Sequence, residues 1–438
     1  MNTPVALLLP VILLASPRVG TFRADVTPPP GEPLIWVTPV VQVEDPLWAK
    51  GIVLDDSGQR YVLCAMDWCG ISNSTLALLR SSLARAAGTE VSRVALHSVH
   101  QHTAPYIDGD AYLLLEKLPQ PPLRLSRAFL DQVASRLAAA VKESLGRLAP
   151  FDRIGTGEGR VSRVASARRI VIEGGKVLTR FSGDGGKPQM AAFPEGAIDP
   201  ALKTITLARG DRPLVRIHYY ATHPQTFCCD GRVSGDFVSR AREALERKEN
   251  VFQVYFTGCS GDVTVGKYND GSLGAREELA RRLQEGMQAA IAATRLETAG
   301  RLAWRTTPLA LPARADAVMA AHRAKLEAPG KFSGTELYRA AIAVAYAARK
   351  RPLELSSLEI GRVRILHLPG EPMLEFQTYA QRLRPENFMA VAGYGDISPG
   401  YLCTDQAFAQ GGYEPSASNA GPGTEALVKA AIRQLLGR

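Results

Sequence analysis

Two histidines one residue apart, His100 and His102, are the side chains of this sequence best suited to chemistry. Imidazole is the commonest metal ligand in proteins and readily exchanges a proton near neutral pH. The apolar residues 94–96 predict a strand that runs into a loop at residues 103–105. On an extended backbone, residues i and i+2 project to the same side, so both imidazoles are predicted to face one pocket as half of a metal site. The alternative is a pair of loop histidines that bond only to neighbouring protein groups.

Three later strand ends also carry side chains that bind metals or transfer protons. They are His223 after a predicted strand, Glu371 between a strand and a helix, and Tyr394, Asp396, Tyr401 and Asp405 in a glycine-rich loop. Sites in open α/β sheets form where strand ends meet loops, so these groups are predicted to converge on the histidine pair. Each also has a structural explanation, since the dipole of a following helix favours a carboxylate such as Glu371.

The elements that must position these residues follow from the periodicity of the apolar side chains. Residues 45–56 and 59–68 predict a hairpin that turns at residues 56–58. Residues 74–87 predict a helix that ends at Gly88. This alternation of strands and helices predicts an α/β fold with layered mixed sheets flanked by helices.

The rest of the chain continues the alternation. The further predicted elements are short antiparallel strands within 153–181, strands at 204–208, 214–220, 251–257, 363–368 and 388–392, helices at 126–145, 237–246 and 276–293, a helix ending near 383 and a last helix after 423. Residues 316–349 are predicted to be mostly helical and to form an insertion or a cover. With no repeat and no clear linker, residues 19–438 are predicted to form a single large catalytic domain.

Composition excludes several functional classes. Of the 438 residues, 46% are hydrophobic and 22% are charged, as in globular proteins. The net charge of +9 permits peripheral contact with an anionic membrane surface, but no run of lysine and arginine indicates nucleic-acid binding. A glycine-rich phosphate-binding motif between a strand and a helix is also missing from the sequence.

The first residues and the cysteines bear on where the protein is found. Residues 4–16 are apolar but too few to span a bilayer, so residues 1–18 are predicted to be a signal peptide of a secreted or periplasmic protein. Against this interpretation, no lysine or arginine precedes the run and Pro10 interrupts it. The six cysteines indicate no disulfide framework, and most are predicted to be buried free thiols.

Six motifs in one order resemble the neutral ceramidase family. They are FRADVTPP, HQHTAP, ATHP followed by SGDF, FTGCSGDVT, LPGEP and GYLCTDQAFAQGGYE. The corresponding stretches of that family look like GRADITPP, HTHSGP, THP with SGDN, GDVSP, PGEF and a tyrosine-bearing loop that ends in RYE. The resemblance extends from about Phe22 to the C-terminus, and its specificity lies in the shared order.

The resemblance implies a single catalytic zinc ion per chain. Its four implied ligands are His100, His223, Glu371 and Tyr401. His102 falls where the family keeps an acid–base residue beside the metal. Tyr413 and Arg168 correspond to groups that polarise the substrate, although Arg169 matches the motif as well as Arg168 does.

The sequence also departs from the family pattern. Thr264 stands where the family has the serine of GDVSP, so a serine-nucleophile mechanism is not favoured. Cys228 and Cys229 follow His223 closely and are an alternative source of thiolate ligands. At 438 residues there is no room for the C-terminal immunoglobulin-like domain of full-length ceramidases, so a short form of the family is expected.

The function that these residues predict is zinc-dependent hydrolysis of an amide in a small-molecule or lipid N-acyl substrate. Zinc would lower the pKa of a water, and His102 would transfer its proton to the leaving amine. One alternative keeps the site but hydrolyses an ester or a small N-acyl metabolite. The other is a secreted binding protein without catalysis, which the complete set of implied ligands disfavours. No obligate protein partner is inferred.

Overall fold

The computed structural model describes residues 16–314 and 317–437. These residues form three main β-sheets with helices packed against them, which confirms the predicted α/β class of layered mixed sheets. Most of the predicted signal peptide, residues 1–18, lies outside the described residues, and its role stays a prediction. No helix in the two described ranges is long and apolar enough to cross a membrane.

The three sheets share one connection pattern that the sequence does not reveal as a repeat. Each contains three antiparallel strands, then a helix, then a fourth strand that pairs in parallel with the third. The first sheet has strands Arg18–Asp25, Trp48–Asp56, Gln59–Met66 and Val94–Ser98 and helix Asn73–Ala87. The second has strands Arg153–Arg160, Ala201–Arg209, Arg212–Tyr220 and Phe252–Thr257 and helix Asp236–Glu249. The third has strands Leu302–Leu309, Leu353–Ile360, Val363–His367 and Phe388–Ala392 and helix Leu374–Leu383.

Further helices cover the sheets and the space between them. One more long helix packs against each sheet. It is Arg127–Leu145 for the first sheet, Leu273–Ala292 for the second and Thr424–Leu435 for the third. Two other helices, Ala317–Glu327 and Gly334–Ala347, pack against each other and are called the cover helices below. One apolar core joins the three sheets, because Leu63, Ile217 and Ile365 belong to the same buried cluster.

Short elements complete the described chain. The short α-helices are Gly109–Leu115, Pro188–Ala192, Asp405–Gln410 and Tyr413–Ser416. The 3₁₀ helices are Ile35–Val37, Val91–Arg93, Glu173–Gly175, Asp184–Gly186 and Pro329–Lys331. The short strands are Gln42–Val43, Gly70–Ser72, Tyr106–Asp108, Ala149–Pro150, Ser166–Ala167, Arg169–Val171, Val177–Thr179, Arg232–Val233, Val263–Thr264, Arg295–Thr298, Glu371–Pro372 and Tyr401–Leu402.

Glycines and patterning explain why many predicted elements are confirmed. The first hairpin turns at Ser57 and Gly58, and both have the positive φ that a two-residue type I′ turn requires. Gly88 ends the first long helix in a left-handed conformation with φ 65°. Two strands of the third sheet were not predicted. One of them, Leu302–Leu309, is an edge strand, and an edge position tolerates its proline and its mixed polarity.

The common topology brings the predicted site residues together. In each sheet the two parallel strands end on the same side, and the loops that follow them carry functional side chains. His100 follows the first sheet's parallel strand Val94–Ser98, and His223 follows Arg212–Tyr220 of the second sheet. Glu371 follows Val363–His367 of the third sheet. The candidate site therefore takes one group from each sheet.

A buried ion pair holds the first sheet against the helix of the second. Arg242 Nη1 and Nη2 donate to the two carboxylate oxygens of Asp67 at 2.9 and 2.8 Å, and both side chains are fully buried. Asp67 also accepts the backbone N–H of Trp48 at 3.0 Å. A buried guanidinium that loses its carboxylate keeps an uncompensated charge in the interior.

Removing this carboxylate tests how strongly the sheets depend on the pair. We expect Asp67→Ala to lower the free energy of unfolding by about 3–5 kcal/mol, because the buried Arg242 loses its two-point partner and keeps only the ion pair between its Nε and Glu243. The matched control is Asp131→Ala, which removes the carboxylate of an exposed pair with Arg127 and should cost less than about 1 kcal/mol. Denaturant unfolding measures both variants, and equal losses would contradict the interpretation.

Candidate functional site

His100, His223 and Glu371 form a compact buried cluster. Their ligand atoms all lie within 4.8 Å of one another, a spacing suited to one metal ion. Nε2 of His100 and Nε2 of His223 are each 3.3 Å from Oε2 of Glu371. The three residues come from positions up to 271 residues apart, counting from His100 to Glu371 (371 − 100), so the fold and not a local motif assembles the cluster.

Backbone carbonyl oxygens decide which ring nitrogen of each ligand histidine carries the proton. His100 Nδ1 lies 2.6 Å from the carbonyl oxygen of Cys69, and His223 Nδ1 lies 2.7 Å from that of Ser260. A carbonyl oxygen only accepts hydrogen bonds, so Nδ1 is the donor in both rings and Nε2 of the neutral imidazole holds a lone pair. These two lone pairs and the carboxylate of Glu371 point into one small space.

This arrangement of acceptors fits a divalent cation. Burial lowers the pKa of His223 to about 3, with a further contribution from the nearby Arg168 guanidinium, so its ring is neutral. The carboxylate of Glu371 is buried beside these two rings, where burial disfavours its negative charge unless a cation lies close to it. Two neutral imidazoles and one carboxylate are a donor set that zinc commonly binds.

The backbone conformation of His100 differs from the prediction. The strand ends at Ser98, and His100 has a left-handed backbone with φ 77°, so the extended spacing expected for His100 and His102 is wrong. The two rings nevertheless meet edge to face with centroids 5.0 Å apart. Left-handed φ in a residue with a side chain costs free energy and is found most often at functional sites.

His102 lies beside the cluster with both ring nitrogens buried. Neither nitrogen has a hydrogen-bond partner among the described residues. Burial holds the pKa of His102 well below its usual value, and the neighbouring His100 and His223 lower it further. A buried polar group without a partner is rare and marks a position where a ligand or a water completes the site.

The cysteines near the site are poor metal ligands. Cys69 is close to His100 and His102, but its Sγ is 3.8 Å from the His100 nitrogen that already donates to a backbone carbonyl. Burial also raises the pKa of the Cys69 thiol well above its usual value. Cys228 and Cys229 are joined to each other in a disulfide, so neither offers a thiolate. The four remaining cysteines are buried free thiols, as predicted for most of them.

Tyr401 lies beside the cluster, and Arg168 lies against Tyr401. Tyr401 pairs with Glu371 in a short parallel ladder, and its ring stacks on that of His223 with centroids 6.5 Å apart. Arg168 Nη1 donates to Tyr401 Oη at 2.7 Å, and its guanidinium lies 5.7 Å from the ring centroid of Tyr413. Burial raises the pKa of the Tyr401 phenol well above its usual value, although Arg168 opposes this shift.

The structure distinguishes the two arginines that the sequence leaves open. Arg168 is buried against Tyr401, whereas Arg169 pairs with Glu414 at 2.8 Å. The other hydrogen bonds of Arg169 go to Gln410 and Gly411 and not to the cluster. Thr264, the counterpart of the family serine, has its hydroxyl 3.1 Å from that of Ser182 and also accepts the N–H of Gly266. It does not line the cavity described next.

A cavity of about 180 Å³ opens onto the cluster. Among its lining residues are His100, His102, Glu371, Tyr401, Tyr413, Trp36, Tyr106, His322, Arg339 and Ile342. His322, Arg339 and Ile342 come from the cover helices, so the segment predicted as an insertion or a cover forms one wall. Neither Trp36 nor Arg339 belongs to a motif, so their roles are not predicted from the sequence.

Tyr394 is predicted from the sequence only as one of the polar groups of the glycine-rich loop, without a specific contact. Its ring stacks on His100 with centroids 4.3 Å apart, and its hydroxyl is 2.7 Å from Oγ of Ser260. Like His100, it has a left-handed backbone, with φ 63°. The glycine on either side of it in the motif GYGD is the only sequence signal of this sharp turn.

Comparison with known proteins identifies the fold. The crystal structure of neutral ceramidase from Pseudomonas aeruginosa matches with a TM-score of 0.71 at 16% sequence identity, over 97% of this chain and 75% of that chain. A structure of ceramidase complexed with C2 matches with a TM-score of 0.70 at 16% identity, over 95% and 74% of the two chains. The sequence matches no protein-family model and no curated protein. This chain therefore has the fold of the neutral ceramidases, as the resemblance of its motifs predicts.

Proposed function

We propose that this chain is a zinc-dependent hydrolase of amide bonds in N-acyl compounds. The observation that carries the proposal is the convergence of three lone-pair donors, Nε2 of His100, Nε2 of His223 and the carboxylate of Glu371. The fold supports the same chemistry, since its solved relative is named for action on ceramide, an N-acyl lipid.

Four side chains would hold the ion. They are the three clustered groups and Tyr401, whose backbone pairs with that of Glu371. Zinc bound there would supply Lewis-acid chemistry, lowering the pKa of a water and polarising a carbonyl oxygen. The ligand histidines are held in the required tautomer by the carbonyl groups of Cys69 and Ser260, which is how neighbouring groups orient metal ligands.

His102 is the acid–base residue of the proposal. It lines the cavity, and its two ring nitrogens have no partner among the described residues, so one of them is available to a water. The imidazole would accept a proton as the water attacks the carbonyl carbon and would return it to the nitrogen of the leaving amine when the C–N bond breaks.

Tyr413 and Arg168 have different roles in the proposal. Tyr413 lines the cavity and would donate from its hydroxyl to the oxygen that gains negative charge. Arg168 is behind Tyr401 and does not line the cavity, so it acts as a positioning residue for that phenol.

The size of the cavity favours a second candidate within the same chemistry. Sites for drug-sized ligands measure roughly 300–1,000 Å³, whereas this cavity measures about 180 Å³. A small N-acyl metabolite, or an ester of similar size, fits that volume better than a lipid with two long chains. Rates on a panel of N-acyl amines and matched esters of increasing acyl length distinguish these substrates, and we expect amides with short acyl chains to react fastest.

Two histidine variants separate metal binding from proton transfer. We expect the wild-type chain to carry one zinc ion and His100→Ala to lose both zinc and activity, because one of three clustered ligands is gone. We expect His102→Ala to keep zinc while kcat falls by roughly 10²- to 10⁴-fold, the usual contribution of a general acid–base group. Metal content by mass spectrometry and single-substrate kinetics measure both effects. An active His100→Ala protein would refute the proposal.

The adjacent arginines provide a matched pair of variants. We expect Arg168→Gln to lower zinc affinity or kcat by about 10- to 100-fold, the usual effect of losing a group that orients a metal ligand. Arg169→Gln removes a bond to Glu414 and should lower stability while kcat of the folded protein stays near wild type. Titration with a zinc indicator and thermal unfolding report the two properties separately, and a larger catalytic loss in Arg169→Gln would exclude the assigned role of Arg168.

A further inference from the structure

The cavity wall includes one guanidinium, that of Arg339 on the second cover helix. In the described ranges, no carboxylate lies within ion-pair distance of this group and no acceptor takes a hydrogen bond from it. The arginines on the other side of the site differ, since Arg168 and Arg169 both have hydrogen-bonded partners. An arginine with all its donors available beside a reaction site is suited to bind an anionic group.

An aromatic stack fixes the orientation of Arg339. The guanidinium carbon lies 3.9 Å from the ring centroid of Trp36, and Trp36 in turn stacks on Tyr106 with centroids 5.7 Å apart. Thr335 Oγ1, on the same helix as Arg339, donates to the backbone oxygen of Trp36 at 2.8 Å. Because the flat face of the guanidinium rests on the indole, its N–H groups stay free along its edge.

The backbone under this stack is strained. Trp36 and Val37 have left-handed φ values of 57° and 56°, which residues with large or β-branched side chains rarely adopt. Such strain persists where the surrounding structure requires it, most often at ligand-binding positions. Here it brings the indole into contact with both the guanidinium and Tyr106, which also lines the cavity.

The described lining residues of the cavity include one acidic group and one guanidinium. Among the described lining residues, Glu371 is the single carboxylate, and it belongs to the proposed metal cluster. Arg339 is the single arginine among the same described residues, and it forms no ion pair with Glu371. A substrate that fills this small cavity therefore meets a metal-binding cluster and a cation within the same 180 Å³.

We propose that the substrate is a small N-acyl compound that carries a carboxylate, which Arg339 binds while the amide lies against the cluster and His102. This inference rests on the proposed hydrolase function of the same cavity and specifies its substrate class. In the reaction, water adds its oxygen to the carbonyl carbon, the C–N bond breaks and a water proton moves to the amine. The carboxylate takes no part in the chemistry and serves recognition alone.

Matched substrates and variants test the role of Arg339. The probes are N-hexanoylglycine and its uncharged amide, together with the half-amide of succinic acid with butylamine and its uncharged amide. We expect wild type to favour at least one carboxylate over its amide by about tenfold in kcat/KM, mostly through KM, and Arg339→Gln to abolish that preference while leaving the amides unchanged. The glycine and succinate pairs reveal which half of the substrate carries the carboxylate. The control Arg323→Gln removes the same charge from the first cover helix outside the cavity and should behave as wild type.

Binding to protein stripped of metal with a chelator tests the inference without turnover. We expect calorimetry to detect a preferred carboxylate compound with wild type and Arg323→Gln and to show about tenfold weaker binding with Arg339→Gln. Binding that depends on Arg339 but never leads to hydrolysis would refute the proposed function and leave the anion site standing. Equal binding of carboxylates and amides by wild type, equal weakening of both by Arg339→Gln, or no binding of any probe with or without zinc would overturn the inference.

Discussion

Two backbone carbonyl oxygens, those of Cys69 and Ser260, set the chemistry of the whole site. By accepting the Nδ1 protons of His100 and His223, they leave both Nε2 atoms as acceptors only 3.3 Å from the carboxylate of Glu371. Acceptors this close repel one another unless a positive charge lies between them. The polypeptide backbone thus prepares a position for a cation, and the surrounding side chains are arranged around that requirement.

The topology of the three sheets explains how residues so far apart in the sequence come together in this cluster. Three sheets with the same connections each place the ends of two parallel strands on a common side, and each supplies one group of the cluster. Left-handed backbone at His100 and Tyr394 then turns the chain sharply enough for their rings to stack 4.3 Å apart. The strain of these turns is offset by a rigid and largely shared core that joins all three sheets.

Much of the fold was predictable because local signals agree with the final structure. The hairpin around Gly58 and the helix that ends at Gly88 each have patterning and turn residues that support the same element. The strand Leu302–Leu309 was not predictable, because an edge position relaxes the pattern on which the prediction depends. The shared topology of the three sheets is not visible as a sequence repeat, because many different sequences can pack into the same arrangement of strands.

For the site, the motifs predicted which residues to expect but not how they are arranged. The convergence of His100, His223 and Glu371 agrees with the resemblance. The extended backbone predicted for His100 and His102 is wrong, because His100 is left-handed. The proton positions on the imidazoles depend on carbonyl groups that no side-chain pattern encodes. Trp36 and Arg339 were missed because they meet only after residues 303 positions apart (339 − 36) are packed together.

Placing one ligand on each sheet has a consequence for how the protein matures. A ribosome exposes the chain from its beginning, so the first two sheets can fold while residue 371 is still unmade. If the cluster binds an ion as proposed, an unfinished chain offers that ion only two imidazoles until the third sheet docks. Ion binding would then favour docking of the third sheet by mass action. A site of this design is complete only when nearly all of the chain has been made.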